Sequence, residues 1–209
     1  GLRFELRPAP SGQVGFFPEQ IENWQWLDET VRALARRDAE APAVLNLFGY
    51  TGASTLMAAR AGGVVTHVDA SKKVIGFARD NQAAAGLSDA PIRWICDDAL
   101  AFVKRELRRG RRYQGVILDP PKFGRGPNGE TWRLESDLPE LLRLRPACGL
   151  EAPMRIWSAG CSSGEEPYSL AMTLEEFRRR EPAFRFEITA TDISLEVLRR
   201  AVMAIYPRE

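Results

Sequence analysis

Ala43-Val44-Leu45-Asn46-Leu47-Phe48-Gly49-Tyr50-Thr51-Gly52 passes from a run with the character of a buried strand into a tight turn whose two glycines stand three places apart. Glycines in such a turn let another group approach the backbone closely. The spacing is not G-x-G-x-x-G, which argues against a dinucleotide and for a ligand without a pyrophosphate. On both sides of this stretch the same alternation recurs. Residues 53–61 suit a small-residue helix stopped by Gly62-Gly63. Residues 64–68 read as a second strand ending on Asp69, and 72–85 as a helix. A third strand, 92–95, ends on Asp97-Asp98 and is followed by a helix over 100–108; a fourth, 113–118, ends on Asp119-Pro120-Pro121. Strands and helices alternating in this way predict βαβ units and a doubly wound, mainly parallel α/β sheet.

Upstream, Phe4-Glu5-Leu6-Arg7 alternates apolar and charged residues and predicts a short strand and turn. Ile21, Trp24, Leu27, Val31 and Leu34 predict a helix over 19–37. Downstream, 124–129 is a Gly/Pro loop, 135–144 a helix and 145–149 a break. The rhythm then restarts, with a strand over 154–158, a turn over 160–164, a helix over 166–180, a strand over 184–191 ending on Asp192, and a helix from Leu195.

Open α/β sheets bind ligands beyond the carboxyl ends of their strands, near the switch point. Asp69 is placed there to accept both hydroxyls of a ribose, and Asp97 or Asp98 to receive an amino group. Each acid alone reads equally well as a helix cap. A glycine turn followed by acids ending the next two strands in order points to a nucleoside. Asp119-Pro120-Pro121-Lys122-Phe123 ends the fourth strand beside the same crevice. Its prolines stiffen the backbone, so that a carboxylate and carbonyls face a flat amino-bearing base on which an aromatic ring stacks. The plainer reading is a rigid turn that stops a strand.

Through Gly15-Phe16-Phe17-Pro18-Glu19-Gln20, Leu45 to Gly52, Val68-Asp69-Ala70-Ser71 and Asp119 to Phe123, residues 1–144 resemble the family of large-subunit ribosomal RNA cytosine-C5 methyltransferases. The resemblance implies a class I, Rossmann-like sheet, an RNA substrate, and S-adenosylmethionine bound by Gly49, Thr51, Gly52, Asp69 and Asp98, with the stretch from Phe17 to Gln20 lying over it. The full candidate cofactor set is Phe17, Gln20, Phe48, Gly49, Tyr50, Thr51, Gly52, Asp69, Asp97, Asp98 and Asp119. The candidate catalytic set is Asp119, Pro120, Pro121 and Phe123. One departure matters: cytosine-C5 methylation requires an attacking thiolate. Cys96 falls inside the third strand and reads as core, Cys148 in the break and Cys161 in the second glycine loop. None follows the Asp119 turn, which argues against a cytosine-C5 activity.

In the restart, Arg155-Ile156-Trp157-Ser158-Ala159-Gly160-Cys161-Ser162-Ser163-Gly164-Glu165-Glu166-Pro167-Tyr168-Ser169 is again strand, glycine loop and helix. Two carboxylates at the helix start repel a phosphate while suiting the helix dipole, so an amino-bearing ligand fits better; simple helix capping is the alternative. Residues 154–207 resemble the chemotaxis-receptor glutamate O-methyltransferases, which implies cofactor contacts for the glycine loop, Glu165 and Asp192. The match covers the first half of that catalytic domain, and the receptor-methylating activity is not expected. The expected organisation is one methyltransferase-like domain of chimeric character: an N-terminal extension and helix (1–42), a cofactor-binding half (43–144) and a β-α-β segment (150–209). That segment completes the sheet by laying 154–158 beside 113–118, and its loop holds no cofactor of its own. Two half-domains with open sheet edges are the alternative. The expected function is RNA-directed methyl transfer. The alternatives are protein glutamate O-methylation and a folded chimera without turnover.

A formal net charge of +1 makes no whole-molecule case for nucleic acid. Lys104, Arg105, Arg108, Arg109, Arg111 and Arg112 either track phosphates or form the solvated end of a helix. Three cysteines without a C-x-x-C pair, and a lone His67, argue against a metal site and for a reducing, cytoplasmic setting. No apolar run reaches the roughly 20 residues of a membrane span, and the opening residues lack a signal-peptide core.

Overall fold

A computed structural model of the chain describes residues 1–7, 14–144, 154–159, 161–192 and 194–206. The chain divides into two compact units, Gly1–Leu150 and Glu151–Glu209.

In the first unit a single 3-10 turn, Pro18–Gln20, leads into α1, Ile21–Arg37. There follow β1 (Ala43–Leu47), α2 (Ala53–Arg60), β2 (Val64–Asp69), α3 (Lys72–Ala84), β3 (Ile92–Cys96), α4 (Ala99–Arg108) and β4 (Gly115–Leu118). The strands pair in parallel in the order β3-β2-β1-β4. This is the predicted α/β sheet, with its switch point between β1 and β4. β1 is buried on both faces, as the unbroken apolar run requires. The small side chains of α2 let that helix lie close to the sheet. Ala58 and Ala59 pack with Val31 of α1, Val44 of β1 and Val65 of β2. On α1, Trp24 and Val31 are buried, but Ile21, part of the same periodic series, is exposed.

Two sequence expectations fail here for identifiable reasons. Residues 4–7 form no strand. The Glu5 amide donates to the Asn81 side chain at 2.9 Å instead of to a neighbouring strand, and Phe4 packs on Phe16. The Gly/Pro stretch over 124–129 is more than a loop. It is the turn of a hairpin, β5 (Phe123–Arg125) and β6 (Thr131–Arg133), paired antiparallel with Phe123 opposite Arg133. Strands of three residues are too short to show a period. α5, Leu134–Arg143, follows. The fourth strand starts at Gly115 rather than at residue 113, and just before it stands the buried Tyr113. Its hydroxyl donates to the buried Glu106 carboxylate at 2.7 Å. Burial works against the charge on Glu106, yet Tyr113, Arg109 and Arg93 together hold its pKa below the usual range. Burial and the same carboxylate push Tyr113 up to about 12.

The second unit repeats the plan. β7 (Met154–Ala159) leads through the second glycine loop to α6 (Glu165–Arg180), then to β8 (Phe186–Thr191) and α7 (Leu195–Met203). β7 and β8 pair in parallel, with Ala159 opposite Thr191. Leu174, Phe177 and Phe184 are buried in this unit. The break at 145–149, with Cys148, lies outside the described residues.

Phe102 on α4 is fully buried, with the guanidinium groups of Arg93 and Arg105 over its ring. Phe102→Ala is expected to lower the unfolding free energy by about 3–5 kcal/mol, read as a lower denaturant midpoint with an unchanged slope.

Candidate functional site

The glycine loop begins where β1 ends. The Gly49 amide donates to Val68 O at 3.1 Å, which extends the β1–β2 ladder by one rung, and the Gly52 amide closes a turn on Gly49 O at 3.0 Å. Phe48 and Tyr50, on either side of Gly49, both adopt the left-handed region, at φ 55° and 47°. Non-glycine residues held there store strain, a common mark of ligand loops. The strain is held by neighbours. Trp132 packs on Phe48 at 4.7 Å between ring centroids, and the Tyr50 amide donates to Asp69 Oδ2 at 3.0 Å. Asp69 Oδ1 accepts from the Ser71 amide at 2.9 Å, and Ser71 caps α3. One carboxylate therefore fixes the ends of two successive strands. Burial pushes its pKa up, against the pull of the Ser71 and Tyr50 amides.

Asp97, Asp98 and Asp119 reach the same place. Together with Asp69 they line a cavity of about 360 Å³, joined by Phe17, Phe48, Tyr50, Pro120, Pro121 and, from the hairpin, Arg125 and Trp132. A smaller cavity of about 50 Å³ takes in Gln20, Gly49, Thr51 and again Phe17, Phe48, Tyr50 and Asp119. Gly52 and Phe123 line neither: Gly52 is the left-handed residue that starts α2, and Phe123 lies 54% exposed on the hairpin. The acids are unequal. Asp98 Oδ1 accepts from the Ala101 amide at 2.8 Å as the cap of α4, and Asp97 pairs with Arg105. Their helix-capping and ion-pairing duties are thus real alongside their place in the wall. Thr51 Oγ1 donates to Gly15 O at 2.6 Å, which ties the Phe16–Phe17 stretch to the loop.

Three polar residues that sequence reasoning did not assign to the site lie beneath the loop. Asn46 Nδ2 donates to Thr55 Oγ1, and Thr55 Oγ1 meets His67 Nδ1, each at 2.8 Å and all buried. His67 Nε2 has no hydrogen-bond partner among the described residues. Burial pushes the His67 pKa down to about 3. Gly49 has ordinary φ. The reason for glycine is space, since a Cβ there would lie 2.5 Å from His67 Nδ1 and closer still to Cε1. The ring itself was legible in the sequence only as a lone histidine.

Other expectations need correction. Cys96 is exposed rather than core, and it does not line the cavity. In the basic stretch, Lys104 pairs with Glu140, Arg105 with Asp97 and Arg109 with Glu106, so half of those cations are already matched. Among the described residues no cluster of three or more His, Cys, Asp or Glu is placed to hold a metal ion. No described helix is long and apolar enough to cross a membrane.

In the second unit the loop repeats the first bond for bond. Cys161 N donates to Thr191 O at 2.9 Å and Gly164 N to Cys161 O at 2.9 Å. Ser162, at φ 50°, donates its amide to Asp192 Oδ2 at 2.8 Å, and Asp192 Oδ1 accepts from the Ser194 amide. Ser163 Oγ holds Glu165, and the Tyr206 hydroxyl donates to Ser163 O at 2.9 Å. Gly160 lies outside the described residues.

Comparisons with known proteins agree with this geometry. Residues 134–209 match the family model of the CheR methyltransferase SAM binding domain. The ribosomal RNA large subunit methyltransferase I of Shewanella denitrificans is 32% identical over 124 residues, 59% of this chain and 29% of that protein. A chemotaxis protein methyltransferase of Borreliella burgdorferi is 54% identical over 57 residues, 27% of this chain and 20% of that protein. A crystal structure of a SAM-dependent methyltransferase from Agrobacterium tumefaciens superposes with a TM-score of 0.72 at 40% identity, over 91% of this chain and 58% of that one. The chain thus spans under a third of the length of the two curated relatives. Its fold is that of the class I SAM-dependent methyltransferases.

Because His67 is the chain's one histidine, its titration is separable. An imidazole with a depressed folded pKa contributes stability above its ordinary value of 6.5 that is lost as pH falls toward about 3. Unfolding free energy should therefore fall between about pH 7 and 5.5, by up to roughly 1.4 kcal/mol per pH unit below 6.5. His67→Phe is expected to flatten that slope in denaturant titrations.

Proposed function

We propose that the first unit binds S-adenosylmethionine in the acid-lined cavity and directs its methyl group to RNA. The observation that carries the reading is the convergence of Asp69, Asp97, Asp98 and Asp119 on one cavity at the β1/β4 switch point. The cavity has a nucleoside-sized volume. Aromatic walls suit an adenine, and carboxylates suit a ligand that carries an ammonium and a sulfonium. When bound, the cofactor supplies an electrophilic methyl. Asp69 accepts the ribose hydroxyls with its remaining lone pairs. Asp97 or Asp98 receives the amino end, and Phe17 and Tyr50, whose rings lie 5.8 Å apart, close over the ligand and exclude water. Asp119 and the stiff Pro120-Pro121 backbone orient an amino-bearing base.

The hairpin favours RNA as the acceptor. Trp132 and Gly124 share its inner face, where the Trp132 indole donates to Pro121 O at 2.8 Å. Phe123, Arg125, Thr131 and Arg133 share the opposite face, and all four are exposed. An aromatic ring among cations suits a base and its phosphates. With neither described cysteine lining the cavity, the reading does not extend to cytosine C5.

A second reading, protein carboxyl methylation through the second loop, is supported by the family model over 134–209 and by the repeated loop hydrogen bonds. We favour a single cofactor per chain, held in the first unit, where four acids near the strand ends converge on one cavity. We further propose that the whole chain makes one methyltransferase-like domain. The solved relative matched over 91% of the chain, more than the first unit alone supplies, supports this.

Calorimetry with S-adenosylhomocysteine is expected to show one site per chain, with Asp69→Ala costing about 1.5–3 kcal/mol of binding. Unchanged affinity would remove Asp69 from the site, and two sites would favour the second reading. Radiolabelled methyl transfer to ribosomal RNA, lost in Asp119→Ala, separates an RNA methyltransferase from a folded chimera without turnover. Asp69 binds the ribose only when ionised, so affinity should be lost as pH falls through its raised pKa. Scanning calorimetry of the whole chain is expected to give one unfolding transition. Two transitions, or two stable pieces after cleavage near Cys148, would refute the single domain.

A further inference from the structure

Two places before the strand-end acid stands His67 in the first unit and Ala190 in the second; His67 is fully buried beneath the Gly49 turn, whereas Ala190 is exposed. The registers match, because Leu47 lies opposite Val68 and Ala159 opposite Thr191. Gly49 and Cys161 therefore hold the same place, each donating its amide to the carbonyl just before the acid. The side chains at these two places are exchanged in size. Where the strand carries an imidazole the loop carries no side chain, and where the strand carries a methyl the loop carries a buried cysteine. In the first unit the exchange is forced, since the His67 ring fills the space a Gly49 Cβ would need.

We propose that the His67–Gly49 pair sets the height of the first loop above its strand, and that His67 is a positioning residue for the cofactor loop of the first unit. His67 is equipped for that role. Thr55 and Asn46 hold its Nδ1 side, Trp94 packs on its ring at 4.6 Å between centroids, and it is fully buried. It joins β2 to α2 and β1 on either side of the loop, so its ring fixes the plane in which the Gly49 and Tyr50 amides point. The glycine in this turn answers to the histidine beneath it as well as to the ligand above it.

The inference rests on the proposed cofactor site, and a substitution cycle on the full chain tests it. Dissociation constants for S-adenosylhomocysteine are measured well below each variant's melting temperature, with melting temperatures recorded separately. Gly49→Ala is expected to weaken binding at least tenfold. Gly49→Ala with His67→Ala, and Gly49→Cys with His67→Ala, which copies the second unit's pair, are expected to recover most of that loss. Where Gly49→Ala does not fold, recovery of both folding and binding in the double variants carries the same meaning. Wild-type affinity in Gly49→Ala, or double variants no better than the single, overturns the pairing. A wild-type chain that binds no S-adenosylhomocysteine sinks the cofactor reading instead. Melting temperatures then still report whether the two positions are coupled. A role confined to packing would restore melting temperature in the double variants without restoring affinity.

Discussion

Asp69 holds the first unit's crevice together because it ends one strand and fastens the loop from the next. Its two oxygens accept from the Tyr50 and Ser71 amides, so the glycine loop and the start of α3 hang from one carboxylate. Remove that acceptor and two half-buried donors lose their partner at once, the costly side of hydrogen-bond energetics. The left-handed backbone at Phe48 and Tyr50 is tolerable because this anchor and the Trp132 packing over-determine it.

Electrostatics follow from the same anchor. Parallel strands deliver their carboxyl ends to one edge, so acids that end β2, β3 and β4 gather without any side chain having to reach far. Arg105 pairs with Asp97, and the α4 amides engage Asp98. Arg125 of the hairpin is the cation in the wall, opposite in sign to the acids and beside the exposed Phe123. The cavity thereby gathers acids near the strand ends beside the residues of the hairpin.

The second unit shows how strongly local rules constrain such a loop. With different residues at nearly every position, it rebuilds the same turn, the same left-handed residue before a left-handed glycine, and the same double acceptance by the strand-end acid. What differs is the filling beneath.

Strand and helix alternation, the glycine turn and the acids at strand ends were all readable along the chain, because each depends on neighbours in sequence: a period, a cap or a turn residue. So were the members of the cavity wall from Phe17 to Asp119, through their place at strand ends and a family likeness. The hairpin was not, since three-residue strands carry no period and their stability comes from Trp132 packing on Phe48, some 80 positions away. Cys96 read as core from its apolar strand, yet it points outward, because β3 is the edge of its sheet. His67 and Gly49 lie 18 residues apart, and nothing local marks them as partners. Their contact exists because β1 and β2 pair in parallel, which places the ring under the turn, and only the folded chain brings that volume and that space together.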